Sequence, residues 1–525
     1  MTEITYELLL ELYRGKASVV EQLSERQRRA LAVDVPLFSS LRDIARNGTP
    51  RHVFLTGNAG DGKTFAALTA EVEGMTVIYD ASASEHGGAS PIDVLAHDLT
   101  THLDAGHRLL VAINRGQLER LETQTTGGPL VALIAAARDQ GRLRETWPAQ
   151  ADPTLTLIDL GLVDTANEAI VDPVLDRVAA ASASSDLSPE TAAAFAAALI
   201  SLREAGPRQW IRTVLTEARS HGQHITMRQL WSFVAFLVTG ARAPEDRAPT
   251  TLRDSLGARL FRDDADGPLF DVARGLDPAL RPDVETARRV LFGIAIPWLA
   301  ATPGVGPLAT IGDAADGRTI LRVAAVHKKE SPPTAQDVYA RLVKKLMDLG
   351  PGWHAFGPIT SQLLRGAYER LRLPASGGHF PAWQYLCYDS ARLATAAAVA
   401  AEELDPSALR LALPRPSPAA ERALGGAWRP PFLWLALAGE GEEPARASLR
   451  LTPRLFAALY AAAPDVQLTE AELLTLQRWV GRTTRARRMT EAILVGHFRS
   501  RRRLAIQEDP LLGTTSVTWE GTDGH

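Results

Sequence analysis

The 525 residues exceed what one hydrophobic core can serve, so two to four domains are expected. With 46% hydrophobic and 22% charged residues and a formal net charge of −4, the composition excludes a disordered chain, a membrane protein and a globally basic nucleic-acid binder. A single cysteine, Cys387, excludes an internal disulfide and a multi-cysteine zinc site.

Residues 1–45 carry apolar side chains at helical spacing, with Leu8, Leu9 and Leu12 followed by Val20, Leu23 and Leu31. They predict a helical N-terminal segment. The opening MTEITYELLLELYRGK sets acids among its leucines, and the apolar stretch 292–299 is short and broken by Pro297. Neither reads as a secretory signal or a membrane span, so a cytoplasmic protein with no membrane partner is expected. From His52 the pattern changes. His52 to Thr56 predicts a strand running into a Gly-rich loop, and a helix follows from Thr64. Further strands are predicted at Thr76–Asp80, Arg108–Ile113 and Leu155–Asp159, with a helix over Pro91–Leu103. That alternation predicts an α/β core, residues 46–165, built on a parallel sheet covered on both faces. Residues 166–300 read as a helical domain, with helices at Pro189–Ala205, Ile211–Ser220 and Met227–Thr239, the last opened by Thr226 as a cap. Residues 301–525 read as a mixed α+β region with strands at Thr319–Val323 and Ser516–Trp519 and Pro/Gly-rich joints. There is no internal repeat.

The strongest chemical signal is Gly57-Asn58-Ala59-Gly60-Asp61-Gly62-Lys63-Thr64, the pattern G-x-x-x-x-G-K-[ST] between a strand and a helix. Such a loop turns backbone N–H groups toward phosphates at a helix N-terminus, where the peptide dipoles favour negative charge. Lys63 would reach the β and γ phosphates of ATP, and the Thr64 hydroxyl would ligate Mg²⁺. Hydrolysis needs in addition a carboxylate at a strand end for the metal shell and a group that orients water. Two registers are open for these. In one, the strand RLLVAIN is the magnesium strand and its acid is replaced by Asn114. In the other, Asp80 holds the magnesium shell and Asn114 senses the γ-phosphate from the neighbouring strand. The second register gives the catalytic set Lys63, Asp80 and Asn114, with Thr64 and Asp80 on the metal. Structural roles for Asp80 as a strand-end cap and for Asn114 as a turn residue stand beside it.

Together FLTGNAGDGKT, VIYDAS, LLVAINRGQL, TLIDLGL and ITMRQLWSFVAFLVTG resemble AAA+-type ATPases. They are most similar to the ATPase component of bacterial phosphorothioation-dependent DNA restriction systems, over about residues 40–290. The resemblance implies a P-loop NTPase sheet with a helical lid, ATP and Mg²⁺ as cofactors, and other restriction subunits as partners in defence against foreign DNA. It implies that Arg228, early in the helix after Thr226, reaches the γ-phosphate from the lid; an ordinary surface arginine is the equal alternative. Arg115 departs from the acid expected beside Asn114.

Near the C-terminus, Arg482, Arg485, Arg487, Arg488, Arg499, Arg501, Arg502 and Arg503 form a basic run that could neutralise DNA phosphates. It follows a helix opened by Thr469-Glu470-Ala471-Glu472, in a region that could form a winged-helix-like module; a solvated Arg-rich helix is the plainer reading. Two further readings remain. A signalling or scaffold protein would bind nucleotide without turning it over. A DNA translocase subunit would form a homo-oligomeric ring with Arg138, Arg142 or Arg144 as fingers.

Overall fold

The computed structural model describes residues 4–15, 23–33, 35–79, 90–125, 127–144, 147, 152–248, 250–280, 282–292, 294–296, 299, 302, 305, 317–328, 338–371, 373, 380–381, 384–385, 397–400, 402–437, 448–460, 467–482, 487–488, 492–497, 502–509 and 514–520. The chain forms two compact units, Met1–Gln336 with Pro416–Arg429, and Asp337–Arg415 with Pro430–His525.

The first unit begins with helices α1 (Tyr6–Arg14), α2 (Glu25–Leu31) and α3 (Pro36–Asn47). An α/β core follows: β1 (His52–Thr56), α4 (Lys63–Thr69), β2 (Thr76–Tyr79), α5 (Pro91–Asp104), β3 (Leu109–Ala112), α6 (Arg115–Gln124), α7 (Pro129–Gln140) and β4 (Leu155–Asp159). Its four strands form one all-parallel sheet in the order β2-β3-β1-β4. Every residue of β1, β3 and β4 is buried, as apolar strands covered on both faces should be. On one face Phe54, Val111 and Leu157 pack with Leu95 and Leu99 of α5 and Leu133 and Ile134 of α7.

Helices α8 (Glu168–Ala179), α9 (Pro189–Leu202), α10 (Ala205–Ser220), α11 (Met227–Thr239), α12 (Leu256–Arg259) and α13 (Pro268–Gly275) build a second core, and α14 (Val284–Leu291) sets Val290 against a smaller one around Leu252, Val323 and Ala324. Helix α1 belongs to the second core although it stands far away in sequence. It packs on α11, Tyr6 meets Phe195 edge to face at 5.0 Å, and the Tyr6 hydroxyl donates to the Arg242 carbonyl at 2.7 Å. At the same C-terminal end of α11, the fully buried Arg259 donates to the carbonyls of Leu237 and Val238 at 3.2 and 2.7 Å. A cation there satisfies terminal carbonyls and meets the negative end of the helix dipole. Burial pulls this guanidinium down to about 10, so it stays charged at neutral pH.

The strand predicted at Thr319–Val323 is instead part of a helix, α15 (Gly317–His327). Its buried residues Thr319, Arg322, Val323 and Val326 recur at three- and four-residue spacing, so one helical face goes to the core. Arg322 and Arg318 on that helix donate to Asp277 Oδ2 at 2.7 and 3.0 Å. Burial pushes the Asp277 carboxyl up, but Arg322, the Ala279 N–H and Arg318 outweigh it and hold it below the ordinary carboxylate value. A depressed folded-state value contributes stability above the unfolded pKa of about 3.9 and loses it as pH falls through the folded one. Asp277→Asn is therefore expected to cost roughly 3 kcal/mol at neutral pH, because the buried Arg322 loses its nearer charge partner and keeps only the exposed Asp263 at 3.6 Å. Urea unfolding at pH 7 and pH 3 checks this: the gap between variant and parent should narrow at the lower pH.

In the second unit, strands Leu449–Leu451, Leu433–Leu437, Leu409–Ala412 and Trp353–Ala355 make an antiparallel sheet in that order. Another runs Thr514–Glu520, Arg502–Asp509, Ala492–His497, Ala397–Ala400 and Gln384–Tyr385. The first of these contains the predicted strand Ser516–Trp519. The helix Glu470–Arg482 opens on the expected box: the Glu472 N–H donates to Thr469 Oγ1 at 3.2 Å and the Thr469 N–H to Glu472 Oε2 at 2.7 Å. After it Arg487, Arg488, Arg502 and Arg503 lie on strands, so the plainer reading of the basic run as a helix is corrected for these four. Arg485, Arg499, Arg501 and Cys387 lie outside the described residues. Among the described residues no helix is long and apolar enough to cross a membrane.

Segment Pro416–Arg429 packs with the first unit. Its helix Pro418–Leu424 touches α3 and β4, the Asp164 N–H donates to the Ala427 carbonyl at 2.8 Å, and the Arg429 N–H to the Leu162 carbonyl at 2.7 Å.

Candidate functional site

The Gly-rich loop joins the carboxyl end of β1 to the N-terminus of α4. Gly57, Gly60 and Gly62 all have positive φ, a conformation that side-chain-bearing residues rarely adopt. At two of them space is also closed. A Cβ on Gly57 would lie 2.7 Å from Asp61 Oδ2, and one on Gly60 would lie 3.1 Å from Thr226 Oγ1 and 3.2 Å from Arg228 Cβ. Lys63 is buried, and its Nζ donates to the Asn58 carbonyl at 2.6 Å and the Gly57 carbonyl at 3.4 Å. Thr64 stands beside it in the first turn of α4, and Ala59 and Gly62 complete the loop. Two carbonyls of the loop thus hold its own buried lysine.

Asp61, read from the sequence only as a loop position, is a buried carboxylate with two partners. Its Oδ2 accepts the Asn58 N–H at 2.6 Å, and its Oδ1 lies 2.7 Å from His224 Nε2. An ionised carboxylate accepts only, so Nε2 carries the proton in this contact. Helix α11 meets the same loop with its first residues. Thr226 caps it as expected, with the Gln229 N–H donating to Thr226 Oγ1 at 3.2 Å and the Thr226 N–H to Gln229 Oε1 at 2.8 Å. Arg228 arrives through its backbone, its N–H donating to the Gly60 carbonyl at 3.1 Å.

The strand ends flanking β1 add three polar groups. Asn114, at the end of β3, is the N-cap of α6 and donates its N–H to Gln117 Oε1 at 3.1 Å. Arg115 follows it and pairs with Asp159, the last residue of β4. Asp159 stands opposite Thr56 in the parallel register and accepts the Gly161 N–H at 2.9 Å. A Cβ on Gly161 would meet Asp159 Oδ1 at 3.1 Å, Arg115 Nη2 at 3.2 Å and Asp61 Oδ2 at 3.5 Å, so these groups converge beneath the loop. Asp80 lies outside the described residues.

Sequence reasoning missed His224 and a role for Asp159. An acid closing the apolar run LTLID is the same signal that singled out Asp80, and it was available at Asp159. No local signal marks His224, 163 residues from its partner. Two of the three candidate ring arginines already have partners: Arg138 pairs with Glu122 and Arg144 with Asp139. Among the described residues no cluster of three or more His, Cys, Asp or Glu side chains is placed to hold a metal ion by itself. No family model matches the chain, and no curated protein matches it.

Proposed function

We propose that this chain binds ATP with Mg²⁺ through residues 57–64 as a P-loop NTPase of AAA+ type, and turns it over within a bacterial DNA-restriction or antiphage assembly. The observation that carries the reading is a G-x-x-x-x-G-K-T loop between the central parallel strand β1 and helix α4, with its glycines at positive φ and its lysine folded onto it. Lys63 would exchange its two carbonyl partners for β and γ phosphate oxygens, and Thr64 would ligate the metal.

Asp80 is assigned to the magnesium shell and Asn114 to sensing the γ-phosphate. The strand order supports this register: β3 lies directly beside β1, and β2 stands one strand farther out. Helix α11 acts as the lid element that meets the loop, and Arg228 enters through it. DNA contact is assigned to Arg499, Arg501, Arg502 and Arg503, and the remaining partners are other subunits of the assembly, with self-association into a homo-oligomer. Calorimetric titration with ATP and Mg²⁺, followed by phosphate release with and without DNA, tests the reading. Binding with turnover that DNA changes is expected; a folded protein that takes up no ATP would sink it.

A second reading, a nucleotide-binding scaffold with little hydrolysis, is favoured by Asn114 and Arg115 standing where an acid pair would activate water. Intact ATP binding with background phosphate release would select it.

A further inference from the structure

We infer that His224 is a positioning residue for the polyphosphate site, holding the phosphate loop in shape through Asp61; the inference rests on the ATP-binding reading above. Asp61 presents an electrostatic problem to any anion-binding loop. Its side chain is 1% exposed and lies within the turn whose amides would receive phosphate. A buried carboxylate there would repel the ligand and carry a large desolvation cost unless a donor holds it.

Two groups do so. The Asn58 N–H takes Oδ2 and His224 Nε2–H takes Oδ1, so the carboxylate is drawn under the loop. Because Oδ2 is bonded to the amide of Asn58, the direction of Asp61 sets the first turn of the loop, and His224 sets the direction of Asp61. The histidine is itself fixed. The adjacent Ile225 carbonyl accepts the buried Thr165 hydroxyl at 2.6 Å, and Thr226 begins the capping box of α11. With Arg228 N–H on the Gly60 carbonyl, the stretch 224–228 grips two consecutive loop residues, 60 and 61. The shape of the phosphate site is thus dictated in part by a segment more than 160 residues away in sequence, and any movement of α11 is transmitted to the loop.

The test is calorimetric titration of the full chain with ATP and Mg²⁺. His224→Ala is expected to weaken ATP binding about tenfold to a hundredfold, since it leaves the buried Asp61 carboxylate short of a donor. His224→Gln, which keeps an N–H donor, should recover most of the loss. The double variant Asp61→Asn/His224→Ala, which removes the stranded charge, should bind better than His224→Ala alone. Wild-type affinity in His224→Ala overturns the inference, and so do equal losses in the Ala and Gln variants, which would mean that the ring only fills space. If His224→Ala does not fold, the ring nitrogen resonances of His224 in the parent protein read the same contact: they should shift on saturation with ATP, and an unchanged ring overturns the inference. Failure of the parent protein itself to bind ATP would instead remove the underlying reading, so the two failures are distinct.

Discussion

Lys63→Ala should lose ATP binding by at least about thirtyfold while the protein stays folded, because truncating one partner of a buried charge interaction costs some 2–5 kcal/mol in a complex and each ~1.4 kcal/mol is tenfold. The residue is 6% exposed, and its ammonium group serves the carbonyls of Asn58 and Gly57. Removing it gives up two hydrogen bonds within a loop already bent by its glycines and gripped by Thr226 and Arg228. The expected stability loss is about 1–2 kcal/mol, far short of unfolding. Calorimetric titration beside a thermal melt separates the two effects. Unchanged ATP affinity in the folded variant would end the phosphate-loop assignment.

Asp80→Ala should keep most nucleotide affinity but lose turnover by about 10²–10³, because the metal it would hold neutralises charge that develops only as the phosphoryl group transfers. Neighbouring strands stand about 4.8 Å apart, so β2, which ends at Tyr79, is roughly two spacings from β1, and β3, which leads to Asn114, roughly one. That layout puts the shorter reach on Asn114, the residue assigned to the γ-phosphate. Asp159→Asn is the comparison to make, since Asp159 also ends a strand next to the loop but is engaged with Arg115 and the Gly161 N–H. Steady-state phosphate release under saturating Mg²⁺ decides. Parent-like turnover in Asp80→Ala with a collapse in Asn114→Ala would move the metal strand to β3.

Local pattern carried the sequence reading where one element explains itself. His52–Thr56 and Leu155–Asp159 are apolar runs of strand length stopped by glycine-containing turns, and Met227–Thr239 is announced by Thr226 and closed by Gly240; all three are found at those bounds. The pattern failed at residues 319–323, where β-branched and apolar side chains read as a strand but Arg322 had a buried carboxylate to meet 45 residues earlier. It was silent on three juxtapositions made by folding: Tyr6 against Phe195, Arg115 on Asp159, His224 on Asp61. The loop was legible because its eight residues carry their own geometry. The groups that hold it were not, because each is supplied by an element whose own sequence has ordinary reasons to be as it is.

The excursion of residues 416–429 back into the first unit bears on how the protein is made. A ribosome delivers β1 to β4 within the first 159 residues, yet the strip that bonds to Leu162 and Asp164 emerges only after some 260 more. During that interval the nascent α/β unit must wait with the carbonyl of Leu162 and the amide of Asp164 unmatched, while the rest of the first unit and less than half of the second are synthesised. A fragment ending at residue 336 reproduces that unfinished intermediate permanently, so expression of the amino-terminal part alone should yield a less stable, more protease-sensitive product than the same unit within the whole chain.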